Sequence, residues 1–525
     1  MVVLGRQPCD EGIVRSAPDV AGCAERDKPW VLAATILGSS MAFIDGSVVN
    51  VALPALQSDL ADSVWAIQWI VNGYLLMLGA LILVGGSAGD RFGRRRVFIL
   101  GTIIFTAASV VCGLAPDVIT LIAARLLQGV GGALLVPASL AIISASFPDE
   151  ERGRAIGTWA GFSALTTALG PVLGGWLVDT LSWRVIFLIN VPVAAAAIAI
   201  AVARVPDSRA RSEGTLDWRG AVVATAGLGA VTFGLTRASE QGWTHPAVFG
   251  PLAVGALLLV AFVWFEARGA AAPMMPLLLF RSATFSGANV MTLLLYFALS
   301  GAMFILPFNL IQLQGYSATI AGATFLPFTL IMGGLSRWSG ALVDRVGARW
   351  PLIIGPLITA AGIAMMAIPG EGARYWLTFF PAMVVLGLGM AVSVAPLTTT
   401  VMGAVDERHA GTASGINNAV SRISGLLAVA VLGIVAVQVF GSALDGRMGG
   451  IGLAADMREA VQQQAGRLLE LRMPDALAAE QRGALAAVVK ASFVESYRAV
   501  MLMCAGAAAL GALCAALTIK APAPK

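Results

Sequence analysis

The chain has 525 residues, of which 58% are hydrophobic and 12% charged, against roughly a quarter charged in an average soluble domain. That composition excludes a water-soluble enzyme. A net charge of +4 over this length is too weak for a nucleic-acid binder. The four lysines, Lys28, Lys490, Lys520 and Lys525, never follow glycine, so the phosphate-cradling pattern G-x-x-x-x-G-K-[ST] is absent. Neither nucleic acid nor ATP is expected as a partner.

In chain order, residues 1–29 mix charge, proline and glycine and read as a cytoplasmic tail rather than a cleaved signal. Six apolar runs follow, near 31–53, 65–89, 97–115, 118–144, 155–178 and 185–203, each long enough to span a bilayer as a helix. They make a first six-helix bundle over 30–204. A charged linker and two further spans, 220–235 and 248–266, occupy 205–283 and read as an insertion. Six more spans, near 284–313, 318–343, 351–368, 376–402, 411–440 and 494–519, make a second bundle over 284–525. The expected fold is an all-α membrane protein of fourteen transmembrane helices. Between the last two spans, 441–490 carries amphipathic spacing that suits a helix on the membrane face or over the mouth of the bundle.

Short loops on one side hold fifteen arginines, from Arg91 to Arg408, and those on the other side hold only Arg184, Arg237 and Arg374. The positive-inside rule therefore places both termini in the cytoplasm. Five cysteines without a C-x-x-C pair and two distant histidines argue against disulfides and metal sites. Arginine far outnumbers lysine, which suggests a GC-rich, bacterial genome and hence the inner membrane. GSAGDRFGRR at 86–95 recurs as GALVDRVGAR at 340–349, each after a second span. Two halves repeated about an axis along the membrane normal are a transporter architecture, with the substrate site between them near the midplane.

Asp45 is the one carboxylate placed well inside a span, where an uncompensated charge costs about 3 kcal/mol on insertion scales. It reads as a proton or cation site; the plainer alternative is a helix-end residue bonded to backbone. Arg125 is the only charge in its span and supplies a fixed cation that tunes a neighbouring acid, unless it merely binds helix carbonyls. Gly170, Pro171, Gly174 and Gly175 mark a bend that lets a neighbour pack closely, a gating or sealing surface. Asp90, Arg91 and Arg94 in one basic turn, with Asp344 and Arg345 in its repeat, read as a latch between halves. Arg337 and Arg422, near or within spans, read as snorkelling or structurally paired. Met41, Trp69, Asn72, Gln128, Tyr296, Asn309 and Gln312, all within spans, are candidates to line the substrate cavity.

At these residues the chain resembles the fourteen-helix drug:proton antiporter branch of the major facilitator superfamily. GSAGDRFGRR is similar to that family's inner-loop motif, RLLQGVGGA to its fourth-helix motif, TTALGPVLGG to its fifth-helix antiporter motif, FIDGSVVNVALP to its first-helix signature and SWRVIFLINVP to its sixth-helix entry. Ser47, Ala88 and Thr166 depart from the usual threonine, leucine and glycine. The resemblance implies proton-coupled export of a hydrophobic drug or antibiotic by alternating access, with Asp45 and Arg125 in proton coupling and no cofactor beyond the proton gradient. The span near 318–343 lacks the acid that some relatives use for divalent organic cations, so a neutral or monocationic compound is favoured. Export of an endogenous metabolite or lipid precursor is the alternative, and a non-transporting sensor a weaker one.

Overall fold

A computed structural model describes residues 26–60, 64–208, 217–242, 245–268, 275–335, 347–405, 410–451, 453, 455–470 and 479–519. Thirteen helices among these residues are long and apolar enough to cross a membrane. The 32-residue helix Asp149–Thr180, where the fifth span is expected, makes fourteen. In chain order they are α1 Lys28–Leu60, α2 Val64–Phe92, α3 Arg94–Gly113, α4 Val118–Ser146, α5 Asp149–Thr180 and α6 Val185–Arg204. The inserted pair is α7 Trp218–Gln241 and α8 Pro246–Arg268. The second bundle comprises α9 Ala283–Phe308, α10 Ala318–Leu335, α11 Arg349–Met366, α12 Phe379–Gly403, α13 Ala410–Met448 and α14 Ala479–Thr518. No strand occurs among the described residues, as expected where lipid leaves backbone groups no outside partner. The chain is a multi-pass membrane protein.

Polar side chains set the helix ends. Asp117 caps α4 by accepting from the Thr120 amide at 2.8 Å and its hydroxyl at 3.0 Å, and those two bonds hold the Asp117 carboxyl below its ordinary pKa. Ser282 and Ser317 cap α9 and α10 in the same way. After Phe308, α9 widens into one π turn, Asn309–Leu313, a local irregularity common at functional sites.

Within the first bundle α4 packs on α2 and α3, and α1 on α5 and α6; within the second, α11 packs on α12 and α14, and α9 on α13 and α14. The halves meet along two seams, α2 with α13 and α5 with α10. Because α10 repeats α2 and α13 repeats α5, these seams are equivalents under the internal repeat. The inserted α7 lies against the first seam and α8 packs on α7.

Three expectations change. Through the Arg94 amide and the side chains of Arg95 and Arg96, the basic turn binds its own bundle. Gly93 turns the chain at φ 106°, the Arg94 amide donates to Ser208 O at 3.0 Å, Arg95 Nη1 donates to Val205 O at 3.0 Å, and Arg96 pairs with Asp207 at 3.1 Å. All of these partners directly follow α6, so the turn ties the first bundle to its own exit. Arg91 is exposed and stacks 5.6 Å from the Phe92 ring. The Asp90 side chain, Asp344, Arg345 and Arg337 lie outside the described residues.

Second, the last two spans run past their expected ends, because apolar residues such as Leu444 and Met448 continue the buried stripe of α13. Third, of the segment 441–490 only the short helix Ala455–Gln462 and the turn Ala465–Glu470 stand apart from α13 and α14. Val461 and Leu468 are buried there, against α13, α14 and α2 rather than lipid.

Candidate functional site

Five helices of the first bundle converge on one buried ion pair. Asp45 sits halfway along α1 and Arg125 in the second turn of α4; Arg125 Nη1 donates to Asp45 Oδ2 at 2.5 Å, with side-chain exposures of 2% for the arginine and 0% for the acid. Gln128, one turn further along α4, donates to Asp45 Oδ1 at 2.9 Å and to Ser109 Oγ of α3 at 2.7 Å. Asn190 of α6 also donates to Ser109 Oγ, at 2.9 Å. From α2, Ile70 O accepts from Arg125 Nε at 3.0 Å and the Tyr74 ring lies 4.4 Å from the guanidinium carbon. Both carboxylate oxygens are thus satisfied, as a buried charge requires.

A proton arriving at Asp45 would cancel one member of the pair and strip Arg125 of its counter-charge. Every helix that contributes a group here would feel the change. Chemically, the cluster can exchange one proton or one cation against a fixed positive charge.

The other cavity candidates take separate places. Gln128 belongs to this network, and Met41 packs in the core of the same bundle with Tyr74 and Phe98. Trp69 turns outward to the inserted helix, donating from Nε1 to Thr236 Oγ1 of α7 at 3.0 Å and packing on Phe233. Asn72 is 0% exposed on the α2 face of the first seam, and neither amide atom has a hydrogen-bond partner. Tyr296 is half-buried on α9. Asn309 and Gln312 lie in the π turn, Asn309 buried with an unpartnered Nδ2.

The proline and glycines of α5 divide between two neighbours. Gly170 and Gly174 face Ser47 and Val48 of α1, while a Cβ on Gly175 would lie 2.2 Å from Ala318 O of α10 and one on Gly322 2.0 Å from Pro171 O. Backbone touches backbone at this seam, which only glycine permits.

Sequence reasoning missed three elements. Asp179 accepts from the Ala318 amide at 3.0 Å, the Thr319 amide at 2.7 Å and Thr319 Oγ1 at 2.5 Å, clasping the first turn of α10 across the second seam. Gln68 donates to Val429 O of α13 at 2.9 Å across the first. Ser109 and Asn190 complete the Asp45 network. Asp179 stands one turn after Gly175 and the other three are polar residues in apolar spans, a signal that gave their presence but not their partners.

Residues 35–429 match the sequence pattern of the Major Facilitator Superfamily. A tetracenomycin C resistance and export protein of Streptomyces glaucescens is 34% identical over 94% of this chain and 92% of its own. The multidrug resistance protein Stp of Mycobacterium tuberculosis is 34% identical over 80% and 78%. Among solved structures, a bacterial homolog of the human lysosomal transporter Spinster, inward-facing and unoccupied, superposes with a TM-score of 0.62 at 18% identity, covering 95% of this chain and all of that one. The chain therefore belongs to the Major Facilitator Superfamily, among its antibiotic and multidrug resistance and export transporters.

Proposed function

We propose that this transporter exports a hydrophobic antibiotic or related toxic compound in exchange for protons, acting as a carrier and not a catalyst. Its place would be the bacterial inner membrane, with both termini and the arginine-rich loops in the cytoplasm. The observation that carries the reading is the Asp45–Arg125 pair, enclosed within the membrane and wired to five helices. The names of the two relatives support drug export as the direction of transport.

The geometry supports the following cycle. With the α5–α10 clasp made, the end of the bundle away from the basic turn is sealed by Asp179 and by the contacts at Gly175 and Gly322. Protonation of Asp45 would weaken its hold on Arg125 and Gln128, loosening α1 from α4. Rocking of the halves about the two seams would then open the sealed end. Return of Asp45 to its charged form on the cytoplasmic side would restore the pair. Transport of a fluorescent substrate in everted vesicles tests this: Asp45→Asn should abolish uptake driven by an imposed pH gradient, and an unchanged pH dependence would remove Asp45 from the mechanism.

A further inference from the structure

By the internal repeat, the chain that follows α13 stands to α2 as the end of α5 stands to α10. At the second seam that relation is the Asp179 clasp on the first turn of α10. At the first seam its counterpart is the turn Ala465–Glu470. This turn belongs to the second half by sequence, yet it packs on α2 of the first half as well as on α13 and α14.

Leu468 in this turn is 1% exposed. Its backbone stands at φ 53° and ψ −120°, angles that a type II′ turn gives its first central residue and that glycine ordinarily supplies. Every other described residue with positive φ is a glycine. A leucine held there carries strain that persists only where its surroundings over-determine it, and the helices around this turn belong to both bundles. The base of the turn is fixed to α13: Gln462 Nε2 donates to Gly441 O at 3.1 Å, and a Cβ on Gly441 would lie 3.6 Å from Ala465 Cβ.

We propose that this turn is a strap across the first seam. Anchored on α13, it moves with the second bundle, grips α2 through Leu468 while the end away from the basic turn is sealed, and releases α2 whenever that end opens. Rocking parts the two halves at the opening end, so a contact between a second-half turn and a first-half helix has to break there in every cycle. Apolar contact suits such a joint, because it is non-directional and re-forms without a fixed bond geometry. The directional bonds of Asp179 at the second seam then fix how the halves meet. The proposal rests on the rocking of the export cycle and adds to it a device at the first seam.

The test uses the full-length protein in liposomes, with nitroxides carried on non-natural residues at Ser58, near the end of α1, and Ser442 of α13, both exposed. Pulsed electron resonance then reads the sealed and open populations as short and long distances. Leu468→Ala should raise the ratio of open to sealed roughly tenfold or more, the scale of a leucine side chain lost from a buried site, and Leu468→Met should stay with wild type. A second variant leaves Leu468 in place: in Gly441→Cys/Ala465→Cys the two Cβ positions suit a disulfide, which ties the turn to its own bundle and should leave both populations as they are. Loss of the open population on oxidation would mean that the turn swings off α13 as a separate lid, and would overturn the proposal. So would a Leu468→Ala chain that melts earlier with its populations unmoved, since Leu468 would then be a packing residue only. Populations that respond as expected in a protein that drives no flux of ethidium or doxorubicin in everted vesicles leave the strap standing and count against the export reading; proton-driven flux of either dye with populations unmoved in Leu468→Ala does the reverse.

Discussion

In the first bundle Arg125 is enclosed, its charge answered by Asp45 at 2.5 Å, with further hydrogen bonds to Gln128 and the Ile70 carbonyl. In the second, Arg422 of α13 holds the same charge half-buried and with neither an ion pair nor a hydrogen bond among the described residues. The same side chain therefore does two different things. The enclosed pair must keep or lose its two charges together, because a buried charge left without its partner is costly. A half-buried cation needs no acid beside it, because its head can reach water while its stem packs on apolar surface.

The sharpest way to break this comparison is to remove one member of the closed pair. Arg125→Ala should destabilise the protein by about 3–5 kcal/mol, the cost of leaving a buried charge unpaired, read as a fall in thermal midpoint in detergent. The double variant Asp45→Asn/Arg125→Gln should recover most of that stability while proton-driven export stays lost. Recovery of both would show that the pair is only structural.

Next in size, Gly175→Val forces side-chain atoms toward Ala318 O, where even a Cβ would sit at 2.2 Å. A cost of about 1–3 kcal/mol is expected on the sealed state. Spin labels on α5 and α10 should report a longer distance, with export reduced and the fold retained. Asp179→Ala removes the clasp at the same seam and should cost about 1 kcal/mol, at the low end because water competes for an exposed carboxylate. The same labels should show a smaller opening than in Gly175→Val.

The smallest effect is expected at the half-buried cation. Arg422→Gln breaks no ion pair or hydrogen bond among the described residues, so stability should stay within about 0.5 kcal/mol of wild type. A loss as large as that of Arg125→Ala would place a hidden partner beside Arg422 and erase the contrast between the two bundles.

Much of this was legible in the chain itself. A run of about 20 apolar residues has one low-energy solution in lipid, a helix with all backbone groups satisfied internally, so fourteen runs give fourteen helices. Asp45 and Arg125 stood out because charge in such a run needs a reason. The recurrence of GSAGDRFGRR as GALVDRVGAR marked α2 and α10 as equivalents, and the two seams bear that symmetry. Pairing was the part that could not be read. Asp45 and Arg125 are eighty positions apart, and only the packing of α1 against α4 brings them within a hydrogen bond. The basic turn could have faced either half, and the carbonyl of Val205 and the carboxylate of Asp207 decided it. Trp69 is polar enough for a cavity, yet the inserted α7 offers Thr236 on the other side.

Sequence alone thus determined the number of spans, the repeat and which side chains carry unaffordable charge, since these follow from transfer costs that each residue pays individually. Tertiary structure alone decided which charges are neutralised and which remain open, because neutralisation is a property of two helices at contact distance. Arg125 and Arg422 look alike in the string of letters; the helix that packs beside the first offers it an acid, and none among the described residues is offered to the second.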